Sequence, residues 1–224
     1  MRSGCVRFRD GEKRALIDRA CRYIIRAVKI PALTTLLAVW IVLAQAPVTL
    51  PVDQEPQHKL AFKNDYVRVI DATLPPGYVT LNHTHATDNV SVTISNGRDG
   101  DAGQRGIGRA GFSKGGYSHT VTNSTPGIMR YIVVEVLKAD RPGPAIQLAK
   151  HTVETENDRV RIYRVKLAPG ESLQSHSHGS GWVEVTVGGG AGAGASVWHA
   201  AGDASPFVVG ANDKPLEIVE VEPK

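Results

Sequence analysis

After residue 57 the chain repeats itself, and this constrains its fold more than any other feature. Residues 58–97 open HKLAFKNDYVRVIDATLPPGYVTLNHTH, and residues 151–190 open HTVETENDRVRIYRVKLAPGESLQSHSH. At a constant offset of 93 residues, His58 pairs with His151, Asn64 with Asn157, Asp65 with Asp158 and Arg68 with Arg161. The same offset pairs Pro76 with Pro169, Gly77 with Gly170, His83 with His176 and His85 with His178. Both copies close on similar runs, Ile132-Val133-Val134-Glu135-Val136 and Glu217-Ile218-Val219-Glu220-Val221. Ungapped identity at so many positions implies two copies of one unit of roughly 80–90 residues, near the lower end of domain size. The expected division is 47–140 for the first copy and 141–224 for the second, with Ala139 to Pro144 (ADRPGP) as the boundary.

Each copy reads as all-β. Val67 and Val69, and likewise Val160 and Ile162, alternate with Arg and Tyr at period two, the signature of a half-buried strand. Pro76-Gly77 and Pro169-Gly170 punctuate these runs as turns. Short strands between Gly and Pro turns predict a sandwich or barrel. The segment Gly188 to Ala195 (GGGAGAGA) has little side chain to pack and reads as a flexible connection between strands.

The N-terminal 46 residues are of another kind. Ile30 to Ala46 (IPALTTLLAVWIVLAQA) carries no charge, follows Arg26 and Lys29, and ends in Ala44-Gln45-Ala46 before Pro47. That is the shape of a signal-peptide core with its small-x-small cleavage site, at the short limit for a membrane span. The expectation is a leader over 1–46, its signal core about 28–46, and an exported product, periplasmic or secreted, with no stable membrane span after cleavage. The first 27 residues are too long and mixed for a charged lead-in. The expected start therefore lies at or near Val28, with the upstream part an artefact of gene assignment. Of 26 Lys and Arg and 22 Asp and Glu, nine and three lie in residues 1–46; the remaining 17 and 19 leave residues 47–224 at a formal charge of −2. The pI near 9.1 thus belongs to the leader, and no basic patch in the remainder speaks for nucleic acid. Both cysteines, Cys5 and Cys21, lie in the leader, so stability after cleavage comes from packing rather than disulfides.

Chemistry concentrates in histidines. In a strand, residues i and i+2 face one side, so His83-x-His85 aims two imidazoles in one direction, as a shared metal requires, and His176-x-His178 repeats the arrangement. His119 follows in GYSHTVTN. A bare H-x-H is more often a solvated or core-satisfied pair than a metal site, so the surroundings decide. Gly77 precedes His83 by six positions and Gly97 follows; Gly108, Gly115, Gly116, His119 and Asn123 form a second spaced set, with Lys114 where a proline would stand. These two segments resemble the paired motifs of the cupin superfamily. Counting both copies, the resemblance covers nearly all of residues 58–222. It implies two double-stranded β-helix (jelly-roll) barrels in tandem, with the histidines lining the inside.

The departures from the pattern are as informative. The family's metal-binding Glu is missing from the first copy, whose two candidate positions hold Asn89 and Val90. Asn89 shares parity with His83 and His85 and offers a neutral, weak carbonyl ligand, while Asp88 is aimed outward by alternation. Three imidazoles suit Fe, Zn, Ni or Cu, and cupins of this kind also hold Mn. The resemblance thus implies one divalent transition metal on His83, His85 and His119, with Asn89 as a weak fourth. In the second copy Trp182 occupies the Glu position, Ser205 the His position and Val209 the Asn position. His176, His178 and a relocated Glu184 make a degenerate second site at most; otherwise Trp182 fills that barrel as core, Glu184 is a rim charge, and Trp198-His199 belongs to packing and surface. The resulting expectation is an exported metal-dependent enzyme of the cupin type, an oxygenase, decarboxylase or isomerase of a small organic substrate. The alternative is a non-catalytic tandem that binds a small ligand or metal or serves as structure.

Overall fold

The computed structural model describes residues 48–224, apart from residues 101, 102, 104, 142, 189–191 and 210–213 and the side chain of residue 209. The leader lies outside the described residues, as does the side chain of Val209. The first copy contributes β1 (Leu50–Pro51), β2 (His58–Lys63), β3 (Val67–Leu74), β4 (His83–His85), β5 (Asn89–Asn96), β6 (Ala110–Ser113), β7 (Tyr117–His119) and β8 (Met129–Val136). The second contributes β9 (His151–Glu156), β10 (Val160–Leu167), β11 (Ser172–Leu173), β12 (Trp182–Gly188), β13 (Ser196–His199), β14 (Val208–Val209) and β15 (Leu216–Pro223). The architecture is all-β. Each copy sets a five-stranded sheet beside a smaller one: β2-β3-β8-β5-β6 with β1-β4-β7, and β13-β12-β15-β10-β9 with β11-β14. Among the described residues, no strand of one copy pairs with a strand of the other.

The turns follow the sequence. Gly77 and Gly170 have φ of 76° and 75°, and each follows the proline that sets the first position of a type II turn. The register of the last strands differs from the reading by sequence likeness. Val67 faces Val136 and Val160 faces Pro223, so β8 and β15 correspond at an offset of 87. Glu135 therefore matches Glu222, and Glu220 matches Val133.

Alternation then divides the two faces of each large sheet. On the outward faces, Val67, Val69, Val90, Val92, Ile132, Val134 and Val136 of the first copy pack with Val160, Ile162, Val183, Val185, Val219 and Val221 of the second. This is one continuous apolar layer shared by the two copies. Each fully buried Val or Ile in it contributes about 1.5–3 kcal/mol. The join is finished by the Tyr66 and Trp198 rings, stacked at 5.5 Å, and by Arg159 donating to the outward Asp88 at 2.6 Å. Because the principal core lies between the barrels, their inward faces are left to chemistry.

Candidate metal centre

In the first barrel β4 pairs antiparallel with β7, placing His83 opposite His119 and His85 opposite Tyr117. The H-x-H spacing turns both rings of β4 inward. Ligand nitrogens of His83, His85 and His119 lie within 4.8 Å of one another. His83 and His85 are buried and His119 is half-buried. His83 Nδ1 donates to the Leu81 carbonyl at 2.9 Å, which fixes the tautomer and leaves Nε2 as a free lone pair. Nε2 of His83 and Nε2 of His119 are buried without a hydrogen-bond partner, while His85 Nδ1 faces the Glu135 carboxylate at 3.6 Å. Buried polar atoms are rarely left so, and each costs about 1–3 kcal/mol unless something else meets it. Three converging imidazoles, two of them with unpaired buried nitrogens, suit a divalent transition metal.

The electrostatics agree. Burial lowers the His119 pKa to about 4, helped by the neighbouring His83, His85 and His58 rings, and burial likewise lowers His83 and His58. His83 and His119 are thus neutral at physiological pH, the form that ligates. His58 was not singled out by the sequence reading, yet its ring meets His83 edge-on at 4.6 Å and lines the same cavity. The repeat itself held that signal, since His58 and His151 are its first matched pair.

Asn89 points inward as its parity requires and is buried. Its Nδ2 stands 3.3 Å from the Tyr117 hydroxyl, and Tyr117 stacks on His85. These groups sit at one end of a cavity of about 230 Å³ whose walls include Ala72, Leu74, Val121, Tyr131 and Val133.

The second barrel is arranged differently. His176 and His178 are buried, and Trp182 is fully buried, stacked between His178 at 4.2 Å and His199 at 4.4 Å. Trp198 serves the join between the copies, whereas His199 is interior. Glu184 has its carboxylate 3.5 Å from His199, and burial, then the nearby Glu220, raises its pKa. The carboxylate set among the imidazoles is Glu220, 3.1 Å from His176 Nε2 and 3.2 Å from His178 Nε2. His151, on β9, joins the group at 3.4 Å. Burial alone would lower His176 and His178, but Glu220 more than offsets it and their pKa values are raised; Glu220, which burial would raise, is held well below the usual carboxylate range by the three histidines. The apolar filling expected of a barrel without the family's ligands is supplied by Trp182 and by a cluster of Val165, Leu167, Leu173 and Ile218, but Arg161, Glu220 and Glu222 are buried in the same barrel.

No protein-family model matches the chain, and no curated protein does. Solved structures do resemble it. AerE from Microcystis aeruginosa covers 76% of this chain and 98% of its own at 12% identity, with a TM-score of 0.45. Oxalate decarboxylase from Lactobacillus farciminis, in its formate complex, covers 72% of this chain and 78% of its own at 14% identity, with a TM-score of 0.46. A cupin 2 conserved barrel protein from Leptotrichia buccalis covers 80% of this chain and all of its own at 9% identity, with a TM-score of 0.43. The chain's own architecture is a tandem of two β units, each with a five-stranded sheet beside a smaller one, and its chemistry has to be argued from its own two interiors.

Proposed function

We propose that the first barrel is an open metal centre, with His83, His85 and His119 as ligands and Asn89 beside them, and that it acts on a small organic substrate. The observation that carries this reading is the convergence of three imidazoles, with Nε2 of His83 and of His119 buried and unpaired, at the wall of a 230 Å³ cavity. Three protein ligands leave positions for water or substrate, the arrangement of catalytic rather than structural sites. Bound there, the metal supplies Lewis-acid activation of an oxygen ligand or a site for dioxygen.

The cavity describes the substrate. Its walls combine aliphatic side chains with imidazole and phenol rings, and among the described residues no lysine or arginine lines it. The fitting molecule has a compact apolar body and one oxygen function directed at the imidazoles. Ser91, Asn89 and the Tyr117 hydroxyl are the polar groups that orient it, and Tyr117 is the candidate to hold a proton next to His85. Export completes the proposal, supported by the uncharged run ending in Ala44-Gln45-Ala46. N-terminal sequencing of the product is expected to begin at or near Pro47, and a product that retains Trp40 in the membrane fraction would contradict it.

The test of the centre is metal counting and turnover on one sample. His119→Ala is expected to lose one equivalent of metal per chain and, with it, substrate-dependent oxygen uptake or carbon dioxide release across a panel of small acids and phenols. Metal binding that disappears with His119 but supports no turnover on any member of the panel would mean that the barrel binds and does not convert.

A further inference from the structure

The second barrel contains a grouping that the family's motif positions do not describe. His176 and His178 come from the repeated H-x-H, but His151 comes from β9 and Glu220 from β15, outside both motif segments. Ser205, in the place of His119, has no imidazole to offer; its Oγ lies 2.9 Å from His176 Nδ1 and supports that ring from behind.

Hydrogen bonding at the far nitrogens sets the direction of all three rings. His151 Nδ1 donates to the Ala149 carbonyl at 3.2 Å, and His176 Nδ1 to the Gln174 carbonyl at 3.3 Å. A carbonyl only accepts, so in the neutral His151 ring the proton is on Nδ1 and Nε2 is a bare lone pair; His176 takes the same tautomer when the Ser205 hydroxyl does not donate to its Nδ1. The two Nε2 atoms then face each other at 3.3 Å, which is repulsive unless a metal ion or a proton lies between them. His178 Nδ1 is engaged at 2.5 Å by Glu222, whose other oxygen accepts from Arg161 at 2.9 Å. This carboxylate–imidazole pairing orients His178 Nε2 into the group and strengthens it as a donor.

The spacing is that of a coordination shell. Tetrahedral zinc with bonds of about 2.0–2.1 Å sets neighbouring ligand atoms about 3.3 Å apart. Ligand atoms of His151, His176 and Glu220 lie within 4.8 Å of one another, and the contacts His151 Nε2–His176 Nε2, His151 Nε2–Glu220 and His176 Nε2–Glu220 run from 3.1 to 3.4 Å. His178 Nε2 and Glu220 Oε2, though 3.2 Å apart, are not aligned for a hydrogen bond, and both are buried with no other partner. Side-chain exposure across the four residues is between 0 and 4%, with the Trp182 indole stacked on His178.

We propose that the second barrel is a closed metal site in which His151, His176 and Glu220 hold one divalent transition ion of the zinc type, with His178 Nε2 3.2 Å from the carboxylate and positioning it. Side chains exposed by no more than 4%, with no open approach to the ion, make it a structural site. Its ion is taken up as the chain folds and contributes to the stability of the fold.

The test uses zinc alone on the full chain, unfolded in chelator, refolded and equilibrated with zinc, with the bound metal counted by mass spectrometry. The unmutated chain is expected to hold two equivalents, His119→Ala one, Glu220→Gln one, and the double variant none. Zinc is expected to raise the melting temperature of His119→Ala by about 10 °C, the size set by tight binding in a domain of this length, and to leave the double variant unmoved. His151→Gln repeats the loss should Glu220→Gln not refold. A His119→Ala chain that binds no zinc and melts alike with and without it overturns the proposal, since protons alone then hold the network. One equivalent that survives His119→Ala and vanishes with Glu220→Gln upholds this site and overturns the first-barrel reading instead.

Discussion

The two barrels share three imidazoles and differ in the fourth group. His58, His83 and His85 correspond to His151, His176 and His178, each first and second ring anchored through Nδ1 to a backbone carbonyl. Behind the third ring both copies place a buried carboxylate and an arginine: Glu135 with Arg68, and Glu222 with Arg161. The first barrel then adds His119 from β7 and keeps Val133 on β8, while the second keeps Ser205 and adds Glu220 at the position of Val133. Asn89 becomes Trp182, and the space beside the histidines closes. One scaffold thus carries an accessible neutral cluster and an enclosed acidic one, and three substitutions account for the difference.

The largest expected effect comes from the residue that closes the second barrel. Trp182→Ala should destabilise the metal-free protein by about 3–5 kcal/mol, the range for truncating a buried large aromatic. Its counterpart Asn89→Ala removes only long contacts of 3.3–3.4 Å and should cost about 1 kcal/mol. Urea unfolding of the two variants measures both, and equal losses would mean the interiors are packed alike.

A smaller effect tests the supporting carboxylates. Glu222→Gln should weaken zinc binding in the second barrel by about 10–100-fold, as loss of an orienting partner does. Glu135→Gln should weaken the first barrel less, because Glu135 stands 3.6 Å from His85 Nδ1 against 2.5 Å for the pair in the second barrel. Competition with a chromophoric chelator ranks the two, and the reverse order would remove the distinction between a tightly and a loosely supported ring.

The smallest effect is in pH dependence, measured in chelator. His119 takes its proton near 6.5 when unfolded but only at about 4 when folded, so below pH 6.5 the unfolded chain binds more protons and stability falls. His176 and His178 have raised values, so their contribution is present below pH 6.5 and is lost as pH rises through their folded values. Between pH 7 and 5 the barrels therefore pull in opposite directions. His119→Gln should flatten the loss of melting temperature on acidification and His176→Gln should steepen it; two parallel curves would show that neither ring titrates as its surroundings require.

Much of this was legible before any coordinates. A repeat at a fixed offset, period-two valines and Pro-Gly turns carry the all-β tandem, because each depends on local backbone geometry. His83, His85 and His119 were legible from spacing, and Asn89 from parity. Glu220 was not. By likeness, the run ending at Val221 lines up with the run ending at Val136 and matches Glu220 to Glu135. The strand register is two residues further on, and a two-residue slip preserves which face each side chain occupies, so the hydrophobic pattern cannot reveal it. His151 escaped for a different reason: β9 lies far along the chain from the H-x-H segment, and only the closed barrel brings it across.

The apolar layer between the large sheets has a consequence for how this chain can change over time. Duplicated units are usually free to drift apart because each carries its own core. Here each copy supplies half of a core it cannot complete alone, so the outward valines are held in common while the inward faces answer to nothing but their own barrel. Divergence is thereby channelled inward. The duplicate could lose an imidazole, gain a carboxylate and admit a tryptophan while the shared layer stayed as it was, and the record of that history is written on the inward side of the strands.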